Sequence, residues 1–351
     1  MMELDKMLKT AVEKNASDIF LIVGQPVSFK ISGFIEKQEE QILTPDMLAV
    51  TIDRFYVLAG RDKKQRELGD DDFSISVPQV GRFRVNVFKQ RGTWGAVLRV
   101  VNFELPDVES MGIPKSILDL GQKQKGMVLV TGAAGSGKST TLAYIIDEIN
   151  RKRNCHILTL EDPIEFLHSH HKSIVSQREI GIDSANYNRA LKASLREAPD
   201  VILIGEMRDL ETIEIAMTAA ETGHLVLSTL HTVGAANTID RIVDVFPSTQ
   251  QQQIRFQLSM VLEAVISQQL IPTTDGKLAP AFEILKVNSA VRTMIRDGKN
   301  HQIPSVIATS KEEGMTAMDD SILRLYKEGR IEESKALYYS INPDTMKRNL
   351  R

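Results

Sequence analysis

At 351 residues the chain is long enough for about two domains of ordinary size, which excludes a peptide or a lone small module. With 42% hydrophobic and 25% charged residues it has the balance of a folded globular protein, not of a disordered or fibrous one. Lys plus Arg number 43 and Asp plus Glu 46, a formal net charge of −3 without blocks of like charge, so whole-molecule attraction to nucleic acid or anionic lipid is not indicated.

The single cysteine, Cys155, cannot form an internal disulfide and excludes zinc sites that need two cysteines, which points to a reducing compartment. The polar start Met1-Met2-Glu3-Leu4-Asp5-Lys6 lacks the apolar stretch of a signal peptide, and no apolar run approaches the roughly 18 residues of a membrane span. A cytoplasmic location is therefore expected.

In chain order, Leu4, Leu8, Ala11 and Val12 share one face at helical spacing and predict a short amphipathic helix. The run Ile19 to Val23, closed by Gly24-Gln25-Pro26, and the stretch Val27 to Ile35, interrupted by Gly33, predict strands around a turn. Thr44-Pro45-Asp46 has the chemistry of a helix start, and the helix is expected through Tyr56. From Asp72 to Val101 the period changes to two: Phe83, Val85 and Val87 point one way and Arg82, Arg84 and Asn86 the other. Gly92 and Gly95 then mark a turn before Ala96 to Val101. A small sheet domain with one charged face, residues 1–103, is the expectation.

Residues 104–121, with Pro106, Gly112 and Pro114, interrupt the strands and are expected to form a linker. In the second domain, 122–351, the apolar runs Met127 to Val130, His156 to Leu160, Val201 to Ile204 and Leu225 to Leu230 alternate with helical segments. Unbroken apolarity indicates strands buried on both faces, hence a parallel α/β sheet. Past Pro247 the pattern (about 248–351) reads as mainly helical, with a long helical segment from Gln250 to Leu270.

Gly132-Ala133-Ala134-Gly135-Ser136-Gly137-Lys138-Ser139 fits the phosphate-loop pattern, with a strand before it and a helix beginning near Thr140. Its glycines let backbone N–H groups converge on a polyphosphate, Lys138 neutralises charge between the β and γ groups, and the Ser139 hydroxyl can bind Mg²⁺. The strand Val201 to Ile204 leads into Gly205-Glu206, making Glu206 the candidate base; Gly205 stands where an aspartate commonly precedes such a glutamate. Glu161 and Asp162, at the end of the preceding strand, offer a metal-shell acid, or alternatively cap a loop. His224 opens and His231 closes the strand 225–230, so roughly 23 Å of extended chain separates them and joint ligation of one metal is not expected. His231 can sense a γ-phosphate or serve as a hydrogen-bonded loop histidine. His168, His170 and His171 read as a solvated loop.

The phosphate loop, Glu161-Asp162-Pro163-Ile164-Glu165, Gly205-Glu206-Met207-Arg208-Asp209-Leu210-Glu211-Thr212, the histidine segment 224–231 and Arg82-Phe83-Arg84-Val85-Asn86 together resemble the secretion and pilus motor ATPases, over nearly the whole chain. The absence of a long amino-terminal extension and of a four-cysteine zinc insertion favours the pilus-retraction branch over assembly. So does Ala290-Val291-Arg292-Thr293-Met294-Ile295-Arg296-Asp297, which resembles a signature of that branch and puts Val291, Met294 and Ile295 on one helical face and Arg292 and Arg296 on another. Gln268 to Thr273 with Asp275-Gly276-Lys277 is similar instead to the accessory retraction ATPases.

The resemblance implies a PAS-like α+β first domain, a RecA-like P-loop NTPase second domain with a helical carboxyl-terminal region, and a homohexameric ring with the nucleotide between the two domains. It implies ATP and Mg²⁺ as cofactors, a place at the inner face of the cytoplasmic membrane, an inner-membrane platform protein (PilC-like) as partner beside any second pilus ATPase, and no nucleic acid. Carried over by position, the nucleotide ligands are Ala134, Gly135, Ser136, Gly137, Lys138, Ser139, Thr140, Glu161 and His224. Mg²⁺ falls to Ser139 and Glu161, and catalysis to Glu206, Arg84, Arg99 and His231. Arg84 and Arg99 would stabilise charge on the transferring phosphoryl group, although a solvated charged strand face accounts for the same residues. A binding module with negligible turnover and a nucleic-acid translocase are the alternatives from other classes; 5% aromatic content and the net charge give the latter little support.

Overall fold

The computed structural model describes residues 4–31, 33–62, 69–101, 105 and 111–350. The chain divides into two units, Met1–Glu104 with Glu165–Leu167, and Leu105–Ile164 with His168–Arg351.

In the first unit the elements run α1 (Leu4–Glu13), β1 (Asp18–Ile22), β2 (Pro26–Ile31), β3 (Phe34–Ile42), α2 (Pro45–Leu58), β4 (Asp70–Val77), β5 (Gly81–Gln90) and β6 (Thr93–Val101). The strands form an antiparallel sheet in the order β3-β2-β1-β6-β5-β4. Period two works as the sequence dictates: Phe83, Val85 and Val87 of β5 are fully buried in a core shared with Leu8 of α1 and Ile52 and Phe55 of α2. Thr44 caps α2, its hydroxyl accepting the Met47 N–H at 3.3 Å, and Pro45 occupies the first turn, where no amide donor is needed.

The second unit contains α3 (Lys115–Leu118), β7 (Gly126–Thr131), α4 (Lys138–Lys152), β8 (His156–Glu161), β9 (Ile174–Glu179), α5 (Tyr187–Ser194), β10 (Val201–Ile204), α6 (Leu210–Glu221), β11 (Leu225–Leu230), α7 (Ala235–Asp244), α8 (Gln251–Val261), β12 (Leu262–Pro272) and β13 (Leu278–Lys286). Four further helices follow: α9 (Ser289–Asp297), α10 (Ile303–Thr309), α11 (Met318–Lys327) and α12 (Glu333–Tyr339), with a last one, α13 (Pro343–Asn349), at the carboxyl end. The sheet order is β13-β12-β7-β11-β10-β8-β9, parallel except for β13 at one edge. Alternate residues of each central strand feed opposite cores. Met127, Leu129 and Val265 pack toward α6, α7 and α8, whereas Val128, Val130, Ala264 and Ile266 pack toward α3 and α4.

Two expectations are corrected. The segment 104–121 is not linker throughout: Lys115–Leu118 is helical, and Ile117 and Leu120 are buried against α4 because they supply apolar surface that covers the sheet; Pro106 lies outside the described residues. The long helix expected from Gln250 to Leu270 ends at Val261, and two strands, β12 and β13, interrupt the otherwise helical region past residue 248. Pairing of β12 alongside β7 decides the matter, since the run Ala264-Val265-Ile266 is as compatible with a buried strand as with a helix.

Candidate functional site

β7 ends at Thr131 and the chain turns through Gly132–Gly137 into α4. Gly132 (φ 145°) and Gly137 (φ 87°) have backbone conformations that other residues rarely adopt, and neither has space for a side chain. A Cβ on Gly132 would sit 2.3 Å from the Gln268 carbonyl oxygen, and one on Gly137 would sit 2.8 Å from Gln268 Nε2. The loop thus lies directly against β12, and the amide of Gln268 supports α4 as well, its Oε1 accepting the Thr141 hydroxyl at 2.7 Å.

Lys138 Nζ donates to the carbonyls of Gly132 (2.9 Å) and Ala133 (3.0 Å), which holds a buried ammonium over the loop. Ser136 Oγ and Thr131 Oγ1 are buried and have no hydrogen-bond partner among the described residues. Unsatisfied hydroxyls, a positive charge and glycine-lined backbone at the start of a 15-residue helix form a cradle that fits a polyphosphate. Ala133, Ala134 and Gly135 are exposed at its rim, while Ser139 and Thr140 follow Lys138 on the first turn, half-buried.

Because β7, β11, β10 and β8 are parallel, their carboxyl ends share one edge. Glu206 leaves β10 there with its side chain 16% exposed. Arg208 Nη2 lies 2.7 Å from one of its oxygens and His231 Nε2, at the end of β11, 3.5 Å from the other. The Glu206 carboxylate in turn holds the Arg208 guanidinium well above its usual range. Gly205 is fixed from both sides: its N–H donates to Leu160 O (2.8 Å) and its carbonyl accepts the Thr229 hydroxyl (2.6 Å). A Cβ on Gly205 would come within 2.8 Å of the Tyr187 hydroxyl, so an aspartate at this place would have to displace that side chain. Burial, with Asp162, Glu206 and Glu161 adding, pushes the Tyr187 phenol up, so it stays protonated as a donor beside the carboxylates.

Glu161 ends β8 beside Gly205, and its Oε1 accepts from Thr159 Oγ1 (2.7 Å) and Gln177 Nε2 (3.3 Å). Three strand spacings, roughly 14 Å, separate β8 from β7. No group of three or more His, Cys, Asp or Glu side chains able to hold a metal exists among the described residues. The donor set at the loop fits a Mg²⁺ held chiefly by phosphates, water and the Ser139 hydroxyl, in keeping with the oxygen ligands and retained waters that this ion prefers.

The remaining expected residues fall elsewhere. His224 precedes β11, at the amino end of the sheet, and its Nδ1 is 2.9 Å from Ala219 O, so the second unit does not bring it to the phosphate cradle. Arg84 and Arg99 are cross-strand neighbours on the exposed face of the first unit; Arg84 Nε lies 3.0–3.1 Å from Asp72 and Arg99 Nε 3.1 Å from Asp18. In α9, Val291 and Ile295 are buried and Met294 packs beside them. Arg292 caps α8 through the carbonyls of Ser259 and Met260 and pairs with Glu263 at 2.7 Å, while Ala290, Thr293, Arg296 and Asp297 remain exposed. The solvated-loop reading of 168–171 holds for His170 and His171 only. His168 is half-buried, its N–H on Gln177 Oε1, and burial holds its imidazole down at about 4.

Sequence reasoning missed the supporting shell on β12 and β13. Ser267 Oγ accepts the Gly234 N–H at 2.9 Å and Glu283 Oε1 the Ala235 N–H at 2.7 Å, which fastens the start of α7 directly after the His231 segment. Burial, followed by Asp319, raises the Glu283 carboxyl, against the lowering effect of that N–H. The signal for these residues was available, since Gln268 and Glu283 are polar residues inside apolar strand runs, where burial demands a partner.

Fold and site together define a RecA-like secretion ATPase: the family model described as Type II/IV secretion system protein matches residues 1–330, and the chain belongs to that family. Within it, the chain is 41% identical over 336 residues to the type IV pilus retractation ATPase PilT of Pseudomonas aeruginosa, covering 95% of this chain and 97% of that one. It is 39% identical over 344 residues to the type IV pilus ATPase PilU of the same organism, covering 97% and 89%. Among solved structures, the pilus retraction motor PilT with bound ADP matches with a TM-score of 0.88 at 43% identity, covering 99% and 100%. The ATPase DotB of Legionella pneumophila matches with a TM-score of 0.81 at 31% identity, covering 95% and 93%. No helix among the described residues is long and apolar enough to cross a membrane.

Proposed function

We propose that the chain is the ATP-hydrolysing subunit of a homohexameric motor that powers type IV pilus retraction and twitching motility from the inner face of the cytoplasmic membrane, acting on a platform protein there. The observation that carries this reading is the edge that joins the phosphate cradle, Glu206 and His231, in a chain similar over nearly its full length to a retraction ATPase. Lys138 exchanges the carbonyls of Gly132 and Ala133 for the β and γ phosphates, and the backbone N–H groups of the loop bind the remaining oxygens. Ser139 would hold Mg²⁺, which when bound would neutralise phosphate charge. Glu206 orients and deprotonates the attacking water, His231 reads the γ-phosphate beside it, and Arg84 and Arg99 stabilise the transferring charge.

The α9 segment supports retraction over assembly, and the near-equal identity to PilU keeps an accessory retraction role as the second reading. Deleting the gene and complementing with wild type or Lys138→Ala tests the proposal. Hyperpiliated, non-twitching cells in the deletion and in the Lys138→Ala strain support retraction, whereas bald cells indicate assembly. Steady-state hydrolysis separates the motor from a binding module, and stimulation by DNA would indicate a translocase.

A further inference from the structure

Neighbouring residues of β12 face opposite sides of the sheet, with α4 and the phosphate loop on one side and α7 on the other. Gln268 faces α4, where it bonds Thr141 and closes over Gly132 and Gly137. Ser267 faces α7, and in the ladder it stands opposite both Glu283 of β13 and Thr131 of β7. Ser267 and Glu283 therefore form a transverse polar pair under the start of α7, accepting the Gly234 and Ala235 N–H groups in succession. Those two donors are the N-cap Gly234 and the first residue, Ala235, of a 10-residue helix, where orphan N–H groups and the helix dipole favour an acceptor or an anion. Ser267 and Gln268 are 0% and 3% exposed and Glu283 is 7% exposed, so water does not readily replace any of these acceptors.

We infer that Ser267, Gln268 and Glu283 are positioning residues with divided roles: Gln268 sets the phosphate loop, and the Ser267–Glu283 pair sets the His231 segment against Glu206. The inference rests on the proposed nucleotide site and adds to it a separation between binding and turnover. Loss of Gln268 disturbs the loop that holds the diphosphate, and so weakens ADP and ATP alike. Loss of the Ser267 or Glu283 acceptor frees Gly234 and Ala235, and with them the register of His231, while the loop that binds ADP stays in place. Small displacements of this kind lower turnover steeply because the reacting groups must be held in register.

The test uses the full chain with Gln268→Ala, Ser267→Ala, Glu283→Ala and Glu283→Gln, reading the ADP dissociation constant, kcat for ATP hydrolysis and the nucleotide-free melting temperature. Glu283→Ala and Ser267→Ala are expected to lower kcat about tenfold or more with ADP affinity within about threefold of wild type. Gln268→Ala is expected to weaken ADP about tenfold, and Glu283→Gln, which keeps an acceptor oxygen for Ala235, to recover most of kcat. Glu283→Gln as slow as Glu283→Ala, or equal loss of ADP affinity in all the alanine variants, overturns the inference. If Glu283→Ala does not fold, Ser267→Ala carries the same split between kcat and ADP affinity. A wild-type chain that binds no ADP overturns the nucleotide reading itself, which the variants are not needed to show.

Discussion

The antiparallel sheet of the first unit carries Arg84, Asn86 and Arg99 on an exposed face, whereas the sheet of the second unit is buried on both faces and gathers Glu161, Glu206 and His231 along one edge. In the first, charge lies where water screens it and each arginine has an acid beside it. In the second, polar groups stand where strands end, because a parallel sheet covered by helices has no other opening to solvent. The sheets therefore differ in what a polar substitution costs. It is cheap on the first unless function uses the residue, and expensive on the second even away from the chemistry.

Three measurements bear on that difference, taken from the largest effect to the smallest. Burial holds His168 at about 4, below its ordinary 6.5, so the unfolded chain takes up the proton first. Its contribution is complete above pH 6.5 and is lost as the pH falls toward 4, about 2 kcal/mol between pH 7 and 4.5. Denaturant titrations at the two pH values should show this loss in wild type and a shallower one in His168→Gln; equal losses would place His168 with the exposed histidines.

Gly205→Ala should cost about 1–2 kcal/mol, since the new Cβ meets the Tyr187 hydroxyl, and Tyr187→Phe in the same chain should recover part of it. A substitution without effect on melting would show that the edge is as tolerant as the first sheet. Arg84→Ala should change stability by less than about 1 kcal/mol, because its pair with Asp72 is roughly half exposed. Hydrolysis should nevertheless slow by about tenfold or more if Arg84 stabilises the transferring charge. An unchanged rate would leave Arg84 as a solvated strand face.

Much of this was legible in the sequence for physical reasons. Phe83, Val85 and Val87 alternate with polar residues because one face of β5 meets water, and Val201 to Ile204 is unbroken because β10 meets none. The phosphate loop could be read because only glycine tolerates the conformations at 132 and 137 so close to β12. β12 itself was hidden: its apolar run suits a helix equally well, and the pairing that makes it a strand comes from β7, more than 130 residues earlier in the chain. Gln268 and Glu283 stood out as polar residues within apolar runs, but what they and Ser267 support is visible only once the phosphate loop and the start of α7 are in place. The separation of His224 and His231 was legible too, because a strand carries its two ends to opposite edges of the sheet.

In the proposed motor, the edge holding the phosphate loop and Glu206 hydrolyses ATP. Phosphate release from the purified full chain, with Glu206→Gln measured beside wild type and ADP binding checked in both, tests it most directly. Turnover by wild type, with Glu206→Gln slower by about a hundredfold or more and still binding ADP, is the predicted result. Glu206→Gln hydrolysing ATP at the wild-type rate would contradict it.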